Sequence, residues 1–222
     1  MQVYTTLRSG GEFLPKHVQV LAREVLAHSP AGTTFSCLGD VDVPGVHTIP
    51  LKTDWPTWWA KMELCDPEIA GDLLFMDIDT VIVGPIDDFL TGPFTTFRGC
   101  GALHLWSRAD RDVIWDIFRP NAKRIIEEYW GEDIFLRAVW TNQFALPKTF
   151  ADTDADKLAC GRQWTLDPPG QLLYRGKRPP FFGPRPPFSG PRPIVLQPNT
   201  RLVMFQGAPR PWRTPEFRHL YR

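Results

Sequence analysis

The stretch LLFMDIDTVIV, residues 73–83, determines how the rest of this chain is interpreted. Apolar residues precede and follow Asp77 and Asp79, and near-continuous apolar segments are typical of strands that are buried on both faces. On a continuing strand the two carboxylates would share one face, about 6–7 Å apart. Unpaired carboxylates beside a core are unfavourable, and a hard cation such as Mn²⁺ or Mg²⁺ would relieve their repulsion. The pattern alone leaves a second interpretation open, a surface turn in which the two aspartates cap the segment that follows.

Outward from this stretch, strand patterns alternate with helical patterns. Strands are predicted at residues 2–7, 33–38, 46–51, 72–76, 80–83, 102–106 and 201–206. Helices are predicted at residues 14–27, 58–65, 110–118, 122–129 and 133–140. The alternation predicts a single α/β domain over residues 1–222, with a mostly parallel sheet flanked by helices. In such a sheet the ligand lies beyond the carboxyl ends of the strands.

The composition, with 43% hydrophobic and 23% charged residues, is typical of a globular protein. No stretch approaches the roughly 20 apolar residues of a membrane span, and the first residues lack the apolar run of a signal peptide. The four cysteines lie far apart without a CxxC pair, which argues against a zinc site and a disulfide scaffold. We therefore expect a cytoplasmic protein with no membrane partner.

The net charge of zero conceals a division along the chain. Residues 1–170 carry 15 Lys/Arg and 24 Asp/Glu, whereas residues 171–222 carry 10 Lys/Arg and one acid. The basic part includes a proline-rich loop at about 175–193, and proline excludes both a helix and a central strand there. The basic end is either a phosphate-binding surface or a patch that pairs with the acidic remainder.

Four segments resemble a known family. LLFMDIDTVIV, followed by IDDFL (86–90), closely resembles the YLDxDTxVxxxIDDLF segment of GT-A type glycosyltransferases, the glycogenin-like retaining family especially. WAKMEL (59–64) is similar to that family's Lys-Leu helix, and GEDIFL (131–136) resembles its Asp-Gln-x-x-Leu segment. FQGAPRPW (205–212) resembles its His-x-Gly-x-Lys-Pro-Trp ending. The segments LRSGG (7–11) and DWPTWW (54–59) resemble compact glycosyltransferase-like proteins of bacteriophages and their hosts.

The resemblance implies a GT-A (Rossmann-like) domain that moves a hexose from a nucleoside diphosphate sugar, expected to be UDP-linked, to an acceptor hydroxyl. On this basis Asp77 contacts the ribose or the metal, and Asp79 is the firmer ligand of Mn²⁺ or Mg²⁺. Lys61 contacts the donor sugar or its phosphate. Arg210 stands in place of a phosphate-binding lysine, and a guanidinium binds a diphosphate in a bidentate way.

The resemblance also assigns the end of the first strand to the nucleotide pocket. Thr5, Leu7 and Arg8 form part of this pocket, and Gly10 and Gly11 allow a close backbone approach. A phage-type protein of this kind would act in the cytoplasm of a bacterium or of a phage-infected host cell.

The chain departs from the family pattern at three places. Gln206 stands where the family has a histidine as third metal ligand, and a glutamine carbonyl is a less basic ligand. Glu132 and Asp133 replace the family's Asp-Gln, and we expect both to line the donor sugar, one of them stabilising the oxocarbenium-like centre. At residues 99–101 a Gly-Cys-Gly segment replaces Asn-Ala-Gly, with loss of a polar sugar contact.

Two other functions fit part of the pattern. In a haloacid-dehalogenase-like phosphatase, Asp77 would be the nucleophile and Asp79 the general acid, with Mg²⁺ alongside. That family usually has the motif after its first strand, whereas three predicted strands precede it here. The other alternative is a non-catalytic protein that binds nucleotide sugars.

The acceptor is suggested by the basic loop at 175–193. Its arginines are interleaved with Phe181, Phe182 and Phe188, and cations with aromatic side chains suit a nucleic acid. Together with the phage-type resemblance, this makes a hydroxymethylated pyrimidine in phage DNA one candidate acceptor. A saccharide and a protein are the other candidates, and the loop could instead be a lid over the donor.

Overall fold

The computed structural model describes residues 1–87, 95–97, 100–143, 158–160, 201–205 and 210–222. The described strands are β1 (Gln2–Leu7), β2 (Thr34–Gly39), β3 (His47–Pro50), β4 (Leu73–Met76), β5 (Thr80–Ile82), β6 (Thr95–Phe97), β7 (Cys100–Trp106), β8 (Leu158–Cys160) and β9 (Leu202–Met204). The described α-helices are α1 (Pro15–His28), α2 (Arg108–Phe118), α3 (Ala122–Glu128) and α4 (Glu132–Gln143). The described 3₁₀ helices span Thr57–Cys65, Arg119–Asn121, Pro211–Arg213 and Arg218–Tyr221.

A six-stranded sheet has the order β3-β2-β1-β4-β7-β6. Strands β3, β2, β1 and β4 pair in parallel, and β7 and β6 join them antiparallel. The predicted mostly parallel α/β domain is therefore confirmed. In β4 successive side chains are buried on opposite faces of the sheet. Leu74 and Met76 join α1 in one hydrophobic cluster, whereas Leu73 and Phe75 join α2, α3 and α4 in another.

The stretch at 73–83 does not form one continuing strand. β4 belongs to the six-stranded sheet, whereas β5 belongs to a second sheet of order β5-β9-β8. The amide of Thr80 donates to the carbonyl of Asp77 over 3.0 Å, which closes a tight turn between the two strands. The spacing of 6–7 Å expected for one strand therefore does not apply, and the turn interpretation is correct for the backbone.

Other differences from the predicted elements are local. The segment Thr57–Cys65 is a 3₁₀ helix, and β6 and β8 were not predicted because each has three residues and only its pairing makes it a strand. The proline-rich loop at 175–193 lies outside the described residues. Within the described ranges, no helix combines the length and the apolar character needed to cross a membrane.

The last described residues dock onto α1. The ring of His17 stacks on Trp212 with centroids 3.8 Å apart, and Tyr221 meets both rings edge-on. Nearby, Arg23 Nη2 donates to the carbonyl of Leu220 over 3.0 Å. The amide of Leu14, at the start of α1, donates to His17 Nδ1 over 3.2 Å, which uses the neutral form of the imidazole. These contacts hold residues 210–222 against the first helix.

Acid pH is expected to weaken this docking through His17. Burial, with a smaller effect of Lys16, lowers the pKa of His17 from 6.5 to about 4. The neutral ring is the folded form, so its contribution is complete above pH 6.5 and is lost as the pH falls through about 4. The difference in unfolding free energy between the wild type and His17→Gln should therefore be largest above pH 6.5 and shrink towards pH 4. Urea unfolding across this range measures it, and a difference independent of pH would contradict the prediction.

Candidate active site

The acidic turn lies at the edge of the sheet where parallel strands end. β1 and β4 run in parallel register, so the turn after β4 and the loop after β1 project from the same edge. Asp77 is held by its amide, which donates to the carbonyl of Ala102 over 2.8 Å. Its side chain is 34% exposed, whereas Asp79 is buried. One carboxylate therefore faces the open edge and the other faces inward.

A buried ammonium connects Asp77 to α4. Lys61 Nζ lies 2.7 Å from Glu132 Oε1 and 3.2 Å from Asp77 Oδ1, and it packs 4.7 Å from the ring centroid of Phe75. Burial opposes the charge on Lys61, but the two carboxylates outweigh it and raise its pKa. Burial raises the pKa of Glu132 to about 7 although Lys61 lowers it. The proximity of Lys61 and Glu132 joins two segments that were singled out separately in the sequence.

A second cation lies on the other aspartate. The guanidinium of Arg210 is paired with Asp79 and also with Glu12, whose Oε1 lies 2.6 Å from Arg210 Nε. It also lies over the ring of Phe13, 4.8 Å from the centroid. Burial and the neighbouring Asp77 raise the pKa of Asp79 to about 7, against the effect of Arg210. The arginine therefore brings the C-terminal segment to the acidic turn.

The residues predicted for the nucleotide pocket have different surroundings. Thr5 is fully buried, and its Oγ1 has no hydrogen-bond partner within the described part of the chain. Leu7 is buried in the core beside α1, so only its backbone belongs to the sheet edge. Arg8 Nη2 donates to the carbonyls of Thr53 and Trp55 over 2.8 and 2.9 Å, which fastens the loop after β3 to the end of β1.

The remaining predicted residues are placed in part. Asp133 follows Glu132 in the first turn of α4 and is partly buried. Gln206, predicted as third metal ligand, lies outside the described residues. β9 pairs with β5 so that Met204 lies opposite Thr80, the residue after Asp79.

Glu12 and Tyr221 are site residues that the sequence did not reveal. Glu12 follows the glycines of the first loop, and nothing in its neighbours indicates an ion pair with a residue 198 positions away. Tyr221 packs edge-on against His17 and Trp212, and burial together with the charge of Asp79 raises its pKa. Both contacts depend on the docking of the C-terminal segment.

The acidic turn has the donor chemistry for a hard divalent cation. Burial, and to a smaller extent the charge of Asp77, raises the pKa of Asp79, so a nearby cation would favour its ionised form. Mg²⁺ is commonly held by one or two carboxylates that are completed by substrate phosphates and water. The described residues contain no group of three or more His, Cys, Asp or Glu side chains arranged for a metal ion. The two aspartates therefore fit a cation that shares its coordination with a ligand.

Comparison with known proteins gives structural matches only. No family model and no curated protein matches the chain. The galactosyltransferase LgtC, solved in complex with donor and acceptor sugar analogs, has 10% sequence identity to this chain. The two structures match with a TM-score of 0.60 over 100% of this chain and 95% of LgtC. An active-site variant of LgtC is 11% identical, with a TM-score of 0.61 over 99% of this chain and 95% of that one. The chain has the GT-A fold.

A second GT-A neighbour is longer than this chain. The apo form of the glycosyltransferase GlyE of Streptococcus pneumoniae TIGR4 is 12% identical, with a TM-score of 0.58. The match covers 96% of this chain but 56% of GlyE. The GT-A fold agrees with the glycosyltransferase resemblance and gives no support to the phosphatase alternative. The glycogenin-like subfamily and the phage-type form stay predictions.

Proposed function

We propose that this protein is a glycosyltransferase that transfers a hexose from a nucleoside diphosphate sugar to an acceptor hydroxyl, and that the donor is a UDP-hexose. The proposal rests on one observation. At the carboxyl edge of a GT-A sheet, Asp77 and Asp79 lie on one turn and each is paired with a cation, Lys61 or Arg210. Lys61 and Arg210 place positive charge beside the two carboxylates, and Arg210 can bind phosphate when the donor enters.

The donor site would be completed by a metal ion. Asp77 and Asp79 would hold Mn²⁺ or Mg²⁺, with Gln206 as the proposed third ligand, and the ion would supply positive charge beside the leaving diphosphate. Arg210 would then donate to diphosphate oxygens, for which its planar guanidinium is well suited. Its contact with Glu12 keeps the side chain at the site before the donor binds.

The nucleotide would lie along the ends of β1 and β3. The backbone of Leu7 and the loop fixed by Arg8 would form the wall of this pocket, with the buried Thr5 behind it. Arg8 keeps the wall in place through two carbonyl contacts. The absence of a side chain at Gly10, where φ is +87°, leaves room for close approach by a ligand.

The sugar would lie next to the Lys61–Glu132 pair. Glu132 and Asp133 would place carboxyl groups beside an oxocarbenium-like centre. Lys61 holds Glu132 and Asp77 in a fixed relation, so that donor phosphate and donor sugar are positioned by one buried contact. Transfer with retention of configuration is the outcome that the family resemblance implies.

Modified DNA is one proposed acceptor, and its support comes from residues outside the described ranges. Residues 175–193 supply the cations and aromatic side chains that suit a nucleic acid. Because no contact of these residues is described, the DNA hypothesis depends on an acceptor assay.

A donor screen tests the proposed function. Purified protein is incubated with UDP-, GDP- and ADP-hexoses, with Mn²⁺, Mg²⁺ or EDTA, and release of the nucleoside diphosphate is measured. We expect turnover of a UDP-hexose with a divalent cation and a loss of at least about tenfold with EDTA, because the leaving group then lacks its counter-charge. Nucleotide binding without turnover would indicate a non-catalytic binding protein, and phosphate release from p-nitrophenyl phosphate without donor turnover would indicate a phosphatase.

A further inference from the structure

Two large aromatic side chains are exposed beside the candidate active site. Trp58 is 45% exposed and Trp130 is 55% exposed, although large apolar rings are usually buried in a folded domain. Their ring centroids lie 6.0 Å apart with an interplanar angle of 57°. In contrast, Trp55 and Trp59 from the same DWPTWW segment are buried and pack on Phe118. The exposed pair therefore needs an explanation other than core packing.

The two tryptophans belong to the same elements as the buried ion pair. Trp58 lies in the 3₁₀ helix Thr57–Cys65, where three residues make one turn and residues i and i+3 share a face, so Trp58 and Lys61 are on one side. Trp130 lies two residues before Glu132, at the start of α4. The Lys61–Glu132 contact of 2.7 Å thus brings the two tryptophan-bearing segments together.

Gly131 permits the close approach of these segments. A Cβ atom at this position would lie 3.4 Å from Trp58 Nε1 and 3.0 Å from Asp133 Oδ1. A side chain here would therefore press on one ring of the pair and on a carboxylate of the site at the same time. Trp58 and the partly buried Asp133 are therefore close neighbours, next to the buried Glu132.

The charge around the pair is close to balanced and offers no cluster of cations. Residues 123–137 contain four acids and three Lys/Arg, and Glu132 and Glu128 are paired with Lys61 and Arg124. A DNA backbone carries one negative charge per about 1.7 Å of duplex and binds where lysine and arginine collect. An uncharged pyranose does not require a cluster of lysine and arginine. Its hydroxyl groups can donate to carboxylates while its C–H face packs on an aromatic ring.

We propose that Trp58 and Trp130 form the acceptor subsite, and that its occupant is a neutral saccharide whose ring packs on the tryptophan pair. This inference rests on the proposed glycosyltransferase function. It places the acceptor next to Glu132 and Asp133, where the donor sugar is expected. It also selects the saccharide from the three acceptor classes that the sequence left open.

The test combines acceptor kinetics with direct binding. Wild type, Trp58→Ala, Trp130→Ala and the double variant are assayed with the preferred donor and a panel of lactose, maltose and cellobiose, beside duplex DNA containing 5-hydroxymethylcytosine. We expect transfer to a disaccharide, with the acceptor KM raised about tenfold by each single variant and about a hundredfold by the double variant. The donor KM should change by a much smaller factor. Trp58→Phe should retain part of the affinity because it keeps an aromatic face.

Two controls make the outcomes decisive. Leu26→Ala removes a side chain of similar exposure on α1 and should leave both KM values unchanged. Titration of intrinsic tryptophan fluorescence with the same disaccharides reports binding without turnover, and the double variant should lose this response. Transfer to DNA but not to saccharides, or an unchanged acceptor KM in the double variant, would overturn the proposal. A wild type that binds the disaccharide but turns over no donor would overturn the proposed function and leave the subsite supported.

Discussion

Asp79→Asn is expected to reduce sugar transfer at least about a thousandfold while the protein stays folded. Asp79 is the buried carboxylate of the acidic turn and the partner of Arg210. The amide lacks the negative charge that would hold a divalent cation, and loss of one group that stabilises developing charge commonly lowers kcat by 10²–10³. Loss of the cation would add to this effect. The comparison is of kcat/KM for the preferred donor at saturating Mn²⁺.

A measurement of thermal stability should distinguish this loss of activity from unfolding of the variant. The side-chain oxygen of asparagine can still accept a hydrogen bond from Arg210, and Arg210 retains its ion pair with Glu12. The substitution also removes the repulsion between Asp77 and Asp79. We therefore expect the Tm of the variant to equal or exceed that of the wild type at pH 7. Asp116→Asn, an exposed aspartate on α2, is the matched control and should change neither quantity. Full activity of Asp79→Asn would rule out the metal role of this residue.

Lys61→Met is expected to have the largest effect on stability. Lys61 is buried between Asp77 and Glu132, and methionine matches its length without its charge. Removal of one partner from a buried ion pair leaves an uncompensated charge and typically costs about 3–5 kcal/mol. Urea unfolding at pH 7.5 measures the change, and donor turnover should be lost as well because Asp77 loses its support.

A double-mutant cycle identifies the cause of the loss of stability in Lys61→Met. Glu132→Gln removes the charge that Lys61 balances most closely, so the double variant Lys61→Met/Glu132→Gln should regain part of the lost stability. Asp77 is partly exposed and can be solvated, so a remaining deficit from this residue should be small. Equal stability of the single and the double variant would show that packing, and not charge, is the main contribution of Lys61.

Much of the six-stranded sheet could be predicted because each signal is local. The apolar run before Asp77, the alternation in residues 2–7 and the helical spacing in 14–27 each depend on neighbours within one or two turns of chain. Lys61, Asp77, Asp79 and Glu132 were named because their segments resemble those of a known family. The structure brings Lys61, Asp77 and Glu132 into contact, and their roles stay predictions.

The contacts that assemble the site could not be predicted. Glu12 and Arg210 are 198 positions apart in the chain, and the hydrophobic periodicity of the sequence does not reveal such an ion pair. The break of the 73–83 stretch into two sheets was missed because β5 is apolar like β4, and only its pairing with β9 shows where it belongs. Trp58 and Trp59 are adjacent in sequence, yet one is exposed and the other buried, because a 3₁₀ helix turns neighbouring side chains to different sides.

The position of the acidic turn between two sheets has a consequence for folding. β4 pairs with β1, about 70 residues upstream, whereas β5 pairs with β9, about 120 residues downstream. Pairing across a longer loop has a greater entropic barrier and is slower. During synthesis the Asp77 side of the turn can be ordered while the chain is still being extended, but Asp79 must wait for residues 202–204 to leave the ribosome. The acidic turn is therefore expected to be among the last parts of the molecule to mature, after most of the core has already formed.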